Sequence, residues 1–128
     1  MNQTVKKTKL LIAEDDLFNR LLVVSMLARN SQIEVVEAKD GEEALAVLSE
    51  QGIDIVLLDI NMPRMNGLET LSEIRQIESI ANIPIMVISS DETEKKLSLK
   101  LGANAFIPKP FNLKALEEQI YDVLGERV

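Results

Sequence analysis

Along this chain, runs of consecutive apolar residues alternate with segments in which apolar positions recur every three or four residues. A short continuous apolar run bounded by turn residues is what a strand covered on both faces shows. The longer spacing marks an amphipathic helix. Leu10-Leu11-Ile12-Ala13 reads as a buried strand, and residues 17–29 as a helix with Leu17, Leu21, Val24 and Ala28 along one stripe. Residues 33–38 form a second short strand. Asp40-Gly41-Glu42-Glu43 has the form of a capping box opening a helix through Glu50, and Gly52 punctuates the turn into a third strand over residues 53–58. Asn66-Gly67-Leu68-Glu69 repeats the cap signature, with Leu68, Leu71, Ile74 and Ile77 following at helical spacing. Pro84 opens a fourth strand, Ile85-Met86-Val87-Ile88. Asp91 with Glu94 predicts a cap for a helix reaching Leu101, and Gly102 suits that helix's C-terminus. Ala105-Phe106-Ile107 is a last short strand. Asn112 then caps a final helix whose apolar positions are Leu113, Leu116, Ile120, Val123 and Leu124.

The pattern amounts to five βα units, and four of the strands are nearly continuous apolar runs. Parallel strands with helices on both faces have that character. At 128 residues the chain is expected to be one domain, with an N-terminal tail over residues 1–8 and the folded domain over residues 9–126. A content of 46% apolar and 27% charged residues places it among globular chains rather than disordered ones. No apolar run approaches the ~20 residues of a membrane span, and the polar, basic start lacks a signal region. A cytoplasmic protein without membrane contact is therefore expected. There is no cysteine and no histidine, which excludes disulfides, thiolate metal sites, imidazole chemistry and histidine-bound zinc. A net charge of −7 argues against nucleic acid as a direct partner, since phosphate binding needs a basic face. Any metal should be a hard, oxygen-loving ion such as Mg²⁺, with Mn²⁺ as the alternative.

In open α/β sheets, ligands bind beyond the carboxyl ends of the strands. The first strand runs out into Glu14-Asp15-Asp16, the third into Asp59, the fourth into Ser89-Ser90-Asp91, and the fifth into Pro108-Lys109-Pro110. Several carboxylates, a hydroxyl and an ammonium thus converge on one rim. Two carboxylates ~5 Å apart at an effective dielectric of ~20 repel by about 3 kcal/mol. Either one is protonated or a cation neutralises the cluster. A divalent ion does this best, and it can bridge carboxylate oxygens and an incoming phosphoryl group. A carboxylate attacking phosphorus forms an aspartyl phosphate. Lys109 can neutralise phosphoryl oxygens, and Ser89 can donate a hydrogen bond to one of them. Taken singly, each residue has a plainer reading: a loop aspartate, a solvated acidic turn, a helix cap, a surface lysine, a core phenylalanine.

Four segments in order make the chain resemble a receiver domain of a two-component response regulator. They are Leu11-Ile12-Ala13-Glu14-Asp15-Asp16, Leu57-Leu58-Asp59-Ile60-Asn61-Met62-Pro63-Arg64-Met65-Asn66-Gly67, Val87-Ile88-Ser89-Ser90, and Phe106-Ile107-Pro108-Lys109-Pro110-Phe111. The resemblance covers residues 10–124, nearly the whole chain. It implies a flavodoxin-like (βα)5 fold, a doubly wound parallel sheet of strand order 2-1-3-4-5, with helices one and five on one face and two to four on the other.

The resemblance also implies roles. Asp59 would be the phosphoacceptor, Asp15 a direct Mg²⁺ ligand, Glu14 a ligand through water, and the backbone carbonyl of Asn61 a further ligand. Ser89 would contact the phosphoryl group, Lys109 would pair with it, and the Lys109–Pro110 bond would be cis. Phosphorylation would draw Ser89 inward, let Phe106 turn into the vacated space, and remodel the face of helix four, strand five and helix five. The chain would catalyse only its own phosphorylation and dephosphorylation. The donor would be a histidine kinase or a histidine phosphotransfer domain, supplied from elsewhere because the chain has no histidine. The listener would be a downstream protein target or output domain, and the chain a monomer or weak dimer.

The stretch from Glu14 to Arg20 resembles receivers of hybrid kinases and phosphorelays. Ser89 stands where threonine is commoner, and Phe106 where tyrosine is commoner, so its switching would rely on packing. Asn61 and Asp91 are placed to help position a hydrolytic water, which points to quick self-dephosphorylation. Three rivals compare poorly. A Mg²⁺-dependent phosphatase would want an acid/base carboxylate at position 61, which is Asn61. A phosphate-independent docking domain would not need the complete site. Flavin binding would want a phosphate-cradling loop after the first strand. With no DNA-binding or catalytic output segment, the chain reads as a stand-alone receiver, which Met1 slightly favours, or as a piece of a longer protein.

Overall fold

The structure is a computed structural model, and residues 6–125 are described. In chain order the elements are β1 (Thr8–Ala13), α1 (Leu17–Leu27), β2 (Ile33–Ala38), α2 (Gly41–Glu50), β3 (Ile55–Asp59), α3 (Gly67–Gln76), β4 (Ile85–Ser89), α4 (Lys95–Lys100), β5 (Ala105–Pro108) and α5 (Leu113–Leu124). Short 3-10 turns occupy Glu78–Ile80 and Glu92–Glu94. All strand pairs are parallel, and the sheet order is β2-β1-β3-β4-β5, as expected. Of the expected tail over residues 1–8, residues 1–5 lie outside the described residues, and Thr8 already belongs to β1. The expected domain end at 126 also lies outside them. Among the described residues no helix is long and apolar enough to cross a membrane.

Alternation along the strands divides the core into two layers. Leu10, Ile12, Ile55, Leu57, Met86 and Ile88 pack with Val23 and Leu27 of α1 and Leu116 and Ile120 of α5. Leu11, Ala13, Val56, Leu58, Ile85 and Val87 pack with Ala44 and Leu48 of α2 and Leu71 and Ile74 of α3, with Leu101 at the margin. The central strands β3 and β4 are buried at every position, which is why they read as unbroken apolar runs. The edge strand β2 is buried only at its two ends.

The helix starts follow local chemistry. Asp16 caps α1 by accepting from the Asn19 N–H at 2.9 Å, and Asn112 caps α5 by accepting from the Ala115 N–H at 2.8 Å. Asn66 and Glu69 form a complete capping box on α3. On α2 the box is displaced. Asp40 accepts from the Glu43 N–H, but the Glu43 carboxylate takes the Lys39 N–H instead of that of Asp40.

Three expectations need correction. In α1 the expected stripe is out of phase, since Leu17 and Leu21 are 57% and 45% exposed while Val23 and Leu27 are buried. Apolar residues occupy most sides of that helix, so periodicity alone does not select the buried side, and packing against β1 and α5 does. The α3 stripe ends early, because α3 stops at Gln76 and Ile77 is an exposed, extended cap residue. The fourth helix starts late. Asp91 accepts from the Thr93 N–H and hydroxyl, which stabilises the 3-10 turn at Glu92–Glu94, and α4 keeps only six residues without a side-chain cap of its own.

Arg75 ties three connections together on the α2–α4 face. Its guanidinium donates to the carbonyls of Gly102, Ala81 and Ile83 and to Asn104 Oδ1, at 2.6–3.1 Å. Asn104 Oδ1 also accepts the Ile85 N–H that starts β4. Gly102 has φ +112°, and a Cβ there would stand 3.0 Å from Arg75 Nε, so glycine serves both the turn and the arginine. Arg75→Ala should lower stability by roughly 2–3 kcal/mol by leaving carbonyls without donors, with Lys recovering less than half because it lacks the planar fork. Urea denaturation of the three proteins measures this.

Candidate functional site

The sheet brings the expected residues to its C-terminal rim. Glu14 follows β1, Asp59 ends β3, Ser89 ends β4, and Lys109 follows β5. Oxygens of Glu14, Asp15 and Asp59 lie within 4.8 Å of one another. Glu14 and Asp59 are buried, each 2% exposed, while Asp15 faces solvent. Lys109 Nζ stands 3.3 Å from Asp59 Oδ2 and 3.5 Å from Glu14 Oε1. The Lys109–Pro110 bond is cis, as expected.

Backbone groups aim the acids. The Asp16 N–H donates to Glu14 Oε2 at 3.1 Å, and the Asn61 N–H donates to Asp59 Oδ1 at 3.3 Å. Arg20, one turn into α1, donates to the Glu14 carbonyl at 2.8 Å and pairs with Glu37 of β2. The acidic loop is thereby fixed to the sheet. On the other side of Asp59, the loop residue Arg64 has φ +62°, uncommon for a residue with a Cβ, and its guanidinium pairs with Asp40 at 2.8 Å. The Glu43 N–H, followed by Arg64, holds the Asp40 carboxyl below the usual carboxylate range.

Glycine at 67 is a matter of close approach. A Cβ there would stand 2.7 Å from Ile60 Cα and 2.8 Å from the Asp59 carbonyl carbon, and the Gly67 N–H donates to the Ile60 carbonyl at 2.8 Å. Sequence reading treats Gly67 as a turn residue. In three dimensions it lets α3 start directly against the backbone that carries Asp59. The contributions of Arg20 and Arg64 likewise leave no local signal in sequence, because their partners are distant in the chain.

Ser89 is fully buried beside this rim, but its hydroxyl does not meet Asp59. It donates to Glu94 Oε1 at 2.7 Å and accepts the Asp91 N–H at 2.9 Å. Phe106 is half-buried against the α2–α4 core and lines a groove of about 540 Å³ with Pro110, Phe111, Ala115 and Gln119. Asn61 is exposed, and Asp91 is exposed with its carboxylate on Thr93.

The donor set suits a hard divalent cation, since it consists of carboxylate oxygens in one small volume and no nitrogen or sulfur. Without a cation the crowding raises the proton affinity of the site. Burial, then a hydrogen bond and like charge from Asp59, push the Glu14 carboxyl up to about 7. Its usual value is 4.5, so folding disfavours the charged form. That cost is absent where Glu14 is protonated in both states, grows as pH rises above the usual value, and is complete above about 7. Glu14→Gln should therefore stabilise the metal-free protein by about 1–3 kcal/mol at pH 8 and hardly at all at pH 4.5. Urea titrations in the presence of chelator, at the two pH values, check both arms.

Residues 10–121 match the family model for the response regulator receiver domain. A chemotaxis protein CheY homolog of Campylobacter jejuni is 34% identical over 120 residues, covering 91% of this chain and 92% of that protein. The transcriptional regulatory protein CpxR homolog of Haemophilus influenzae is 38% identical over 119 residues, covering 91% of this chain and half of that longer protein. The receiver domain of sensor histidine kinase PA1611 from Pseudomonas aeruginosa, solved with a magnesium ion coordinated in its active-site cleft, superposes with a TM-score of 0.85 at 25% identity, over 94% of this chain and 99% of that one. With the sheet order, the acidic cluster and the lysine in place, this chain belongs to the receiver domains of two-component response regulators.

Proposed function

We infer that Asp59 is the residue through which this receiver domain carries its phosphoaspartate signal. The single observation behind this reading is the setting of the Asp59 carboxylate. It is buried at the end of β3, 3.3 Å from the Lys109 ammonium, in a cluster with Glu14 and Asp15. An Asp59 oxygen attacks the phosphorus of a phosphohistidine. The P–O bond forms as the P–N bond breaks, and the electron pair leaves on the imidazole nitrogen, which then takes a proton. Lys109 stands where it can pair with the added charge, and the Asn61 N–H keeps the attacking carboxylate oriented.

Glu14, Asp15, Asp59 and the carbonyl of Asn61 would hold Mg²⁺, which when bound supplies neutralisation of the phosphoryl and carboxylate oxygens. The folded unit over residues 9–126 works in this reading as a switch. Ser89 is captured by the phosphoryl group, Phe106 follows into the space behind it, and the face formed by α4, β5 and α5 carries the change to a target protein. The groove lined by Phe106 and Phe111 beside β5 supports that choice of face.

The donor side is supported by a second surface. Leu17, Phe18, Leu21 and Leu22 are all 45% exposed or more, and they sit on α1 directly after the acidic loop. An apolar patch at the mouth of a phosphoacceptor site suits the helical surface of a histidine-bearing partner better than a small-molecule donor.

With acetyl phosphate and Mg²⁺, the intact protein should gain the mass of one phosphoryl group, and Asp59→Asn should gain none. A gain that survives the substitution would place the acceptor elsewhere. Phe18→Glu should slow transfer from a phosphohistidine protein about tenfold while leaving the acetyl phosphate rate unchanged, because it removes only a docking contact. Equal slowing with both donors would contradict a docking role.

A further inference from the structure

The Ser89 hydroxyl has one hydrogen to donate, and its short contact is to Glu94 at 2.7 Å, with the Asp91 carbonyl farther off at 3.4 Å. Ser89 is wholly buried at the end of β4, so water does not compete for that hydroxyl. Its Oγ donates to Glu94 Oε1 at 2.7 Å, within the range of a hydrogen bond to a charged acceptor, and the Asp91 N–H fills an acceptor position at 2.9 Å. A hydroxyl offers one donor and two acceptor positions. It cannot donate to the Glu94 carboxylate and to a phosphoryl oxygen at the same time.

Glu94 is well anchored for this purpose. It is half-buried as the last residue of the 3-10 turn that leads into α4. Its backbone carbonyl accepts from the hydroxyl of Ser98, itself fully buried. The backbone that carries the carboxylate is thus fixed to the first turn of α4 independently of Ser89.

We propose that Glu94 is a positioning residue for the phosphoryl reaction: it withholds the Ser89 proton from the Asp59 site in the unphosphorylated protein. The phosphoryl group captures Ser89 only by displacing the Glu94 carboxylate, and the displaced side chain belongs to the start of α4. One exchange of hydrogen-bond partner therefore sets the strength of phosphoryl capture and carries its arrival to α4. The coupling is local, because the two acceptors compete for one proton and no chain of intermediates is needed. This inference rests on the reading of Asp59 as acceptor and of Ser89 as a phosphoryl contact.

The test is beryllofluoride binding in Mg²⁺, a phosphoryl mimic that needs no donor protein, followed by NMR titration on the full chain. Wild type, Glu94→Ala, Glu94→Gln, Ser89→Ala and the Ser89→Ala/Glu94→Ala double variant are compared, with thermal melts to establish folding. Glu94→Ala should bind about tenfold tighter than wild type, since a charge-assisted hydrogen bond no longer has to be broken. Glu94→Gln keeps a neutral acceptor and should fall between the two. In the Ser89→Ala background, removing Glu94 should change binding less than twofold. A merely structural role for Glu94 would move affinity equally with and without Ser89, and that result overturns the proposal. So does an unchanged or weaker affinity in both Glu94 variants while wild type binds. Failure of wild type to bind at all would instead overturn the reading of the acceptor site, and this proposal with it.

Discussion

Three carboxylates share a space of 4.8 Å at one end of a sheet, and two of them, Glu14 and Asp59, are shut away from water. Solvent screening is what normally makes such crowding tolerable, and burial removes it. The remaining means are few: an ammonium at 3.3–3.5 Å, backbone N–H groups from Asp16 and Asn61, and a raised proton affinity at Glu14. A cation or a phosphoryl group changes that balance directly.

The topology makes the crowding unavoidable. In the order β2-β1-β3-β4-β5, the chain leaves β1 toward one edge of the sheet and returns beside it at β3, so the ends of β1 and β3 meet at the switch point. Both strands are clamped in pairing on each side, and neither can withdraw its terminal acid without losing ladder bonds. On the α2–α3 side the frame is stiff. Gly67 packs backbone to backbone on Asp59, Arg64 pairs with Asp40, and Arg75 binds three loop carbonyls. On the α4 side it is slighter, with a six-residue helix entered through a 3-10 turn. Elements with few buried contacts reorganise at low cost, and Ser89 touches this one through Glu94.

Much of this is legible in the sequence. Asp59 stood out because a charged residue ends a run of buried apolar ones. The caps at Asn66 and Asn112 are local chemistry, complete within four residues, and the structure uses both. The phase of α1 was not legible, because Leu17, Leu21, Val23, Val24 and Leu27 offer apolar side chains in several directions. Nor was the start of α4, where Asp91 satisfies Thr93 and tightens the first turn before an α-helix can form. Gly67 read as a turn residue although its role is set by what lies against it.

By itself the sequence determined the periodicities, the caps and the placing of charged residues at strand ends, since each depends on neighbours within a turn or a strand. It thereby determined five βα units and a rim bearing Glu14, Asp15, Asp59, Ser89 and Lys109. The tertiary structure decided which of those side chains meet. Lys109 reaches Glu14 across 95 positions of sequence and Asp59 across 50, whereas Ser89, on the same rim, donates its hydrogen bond to Glu94 five residues on. The reason is physical: a buried polar group takes whichever partner the packed frame brings within about 3 Å, and a one-dimensional pattern carries no such distance.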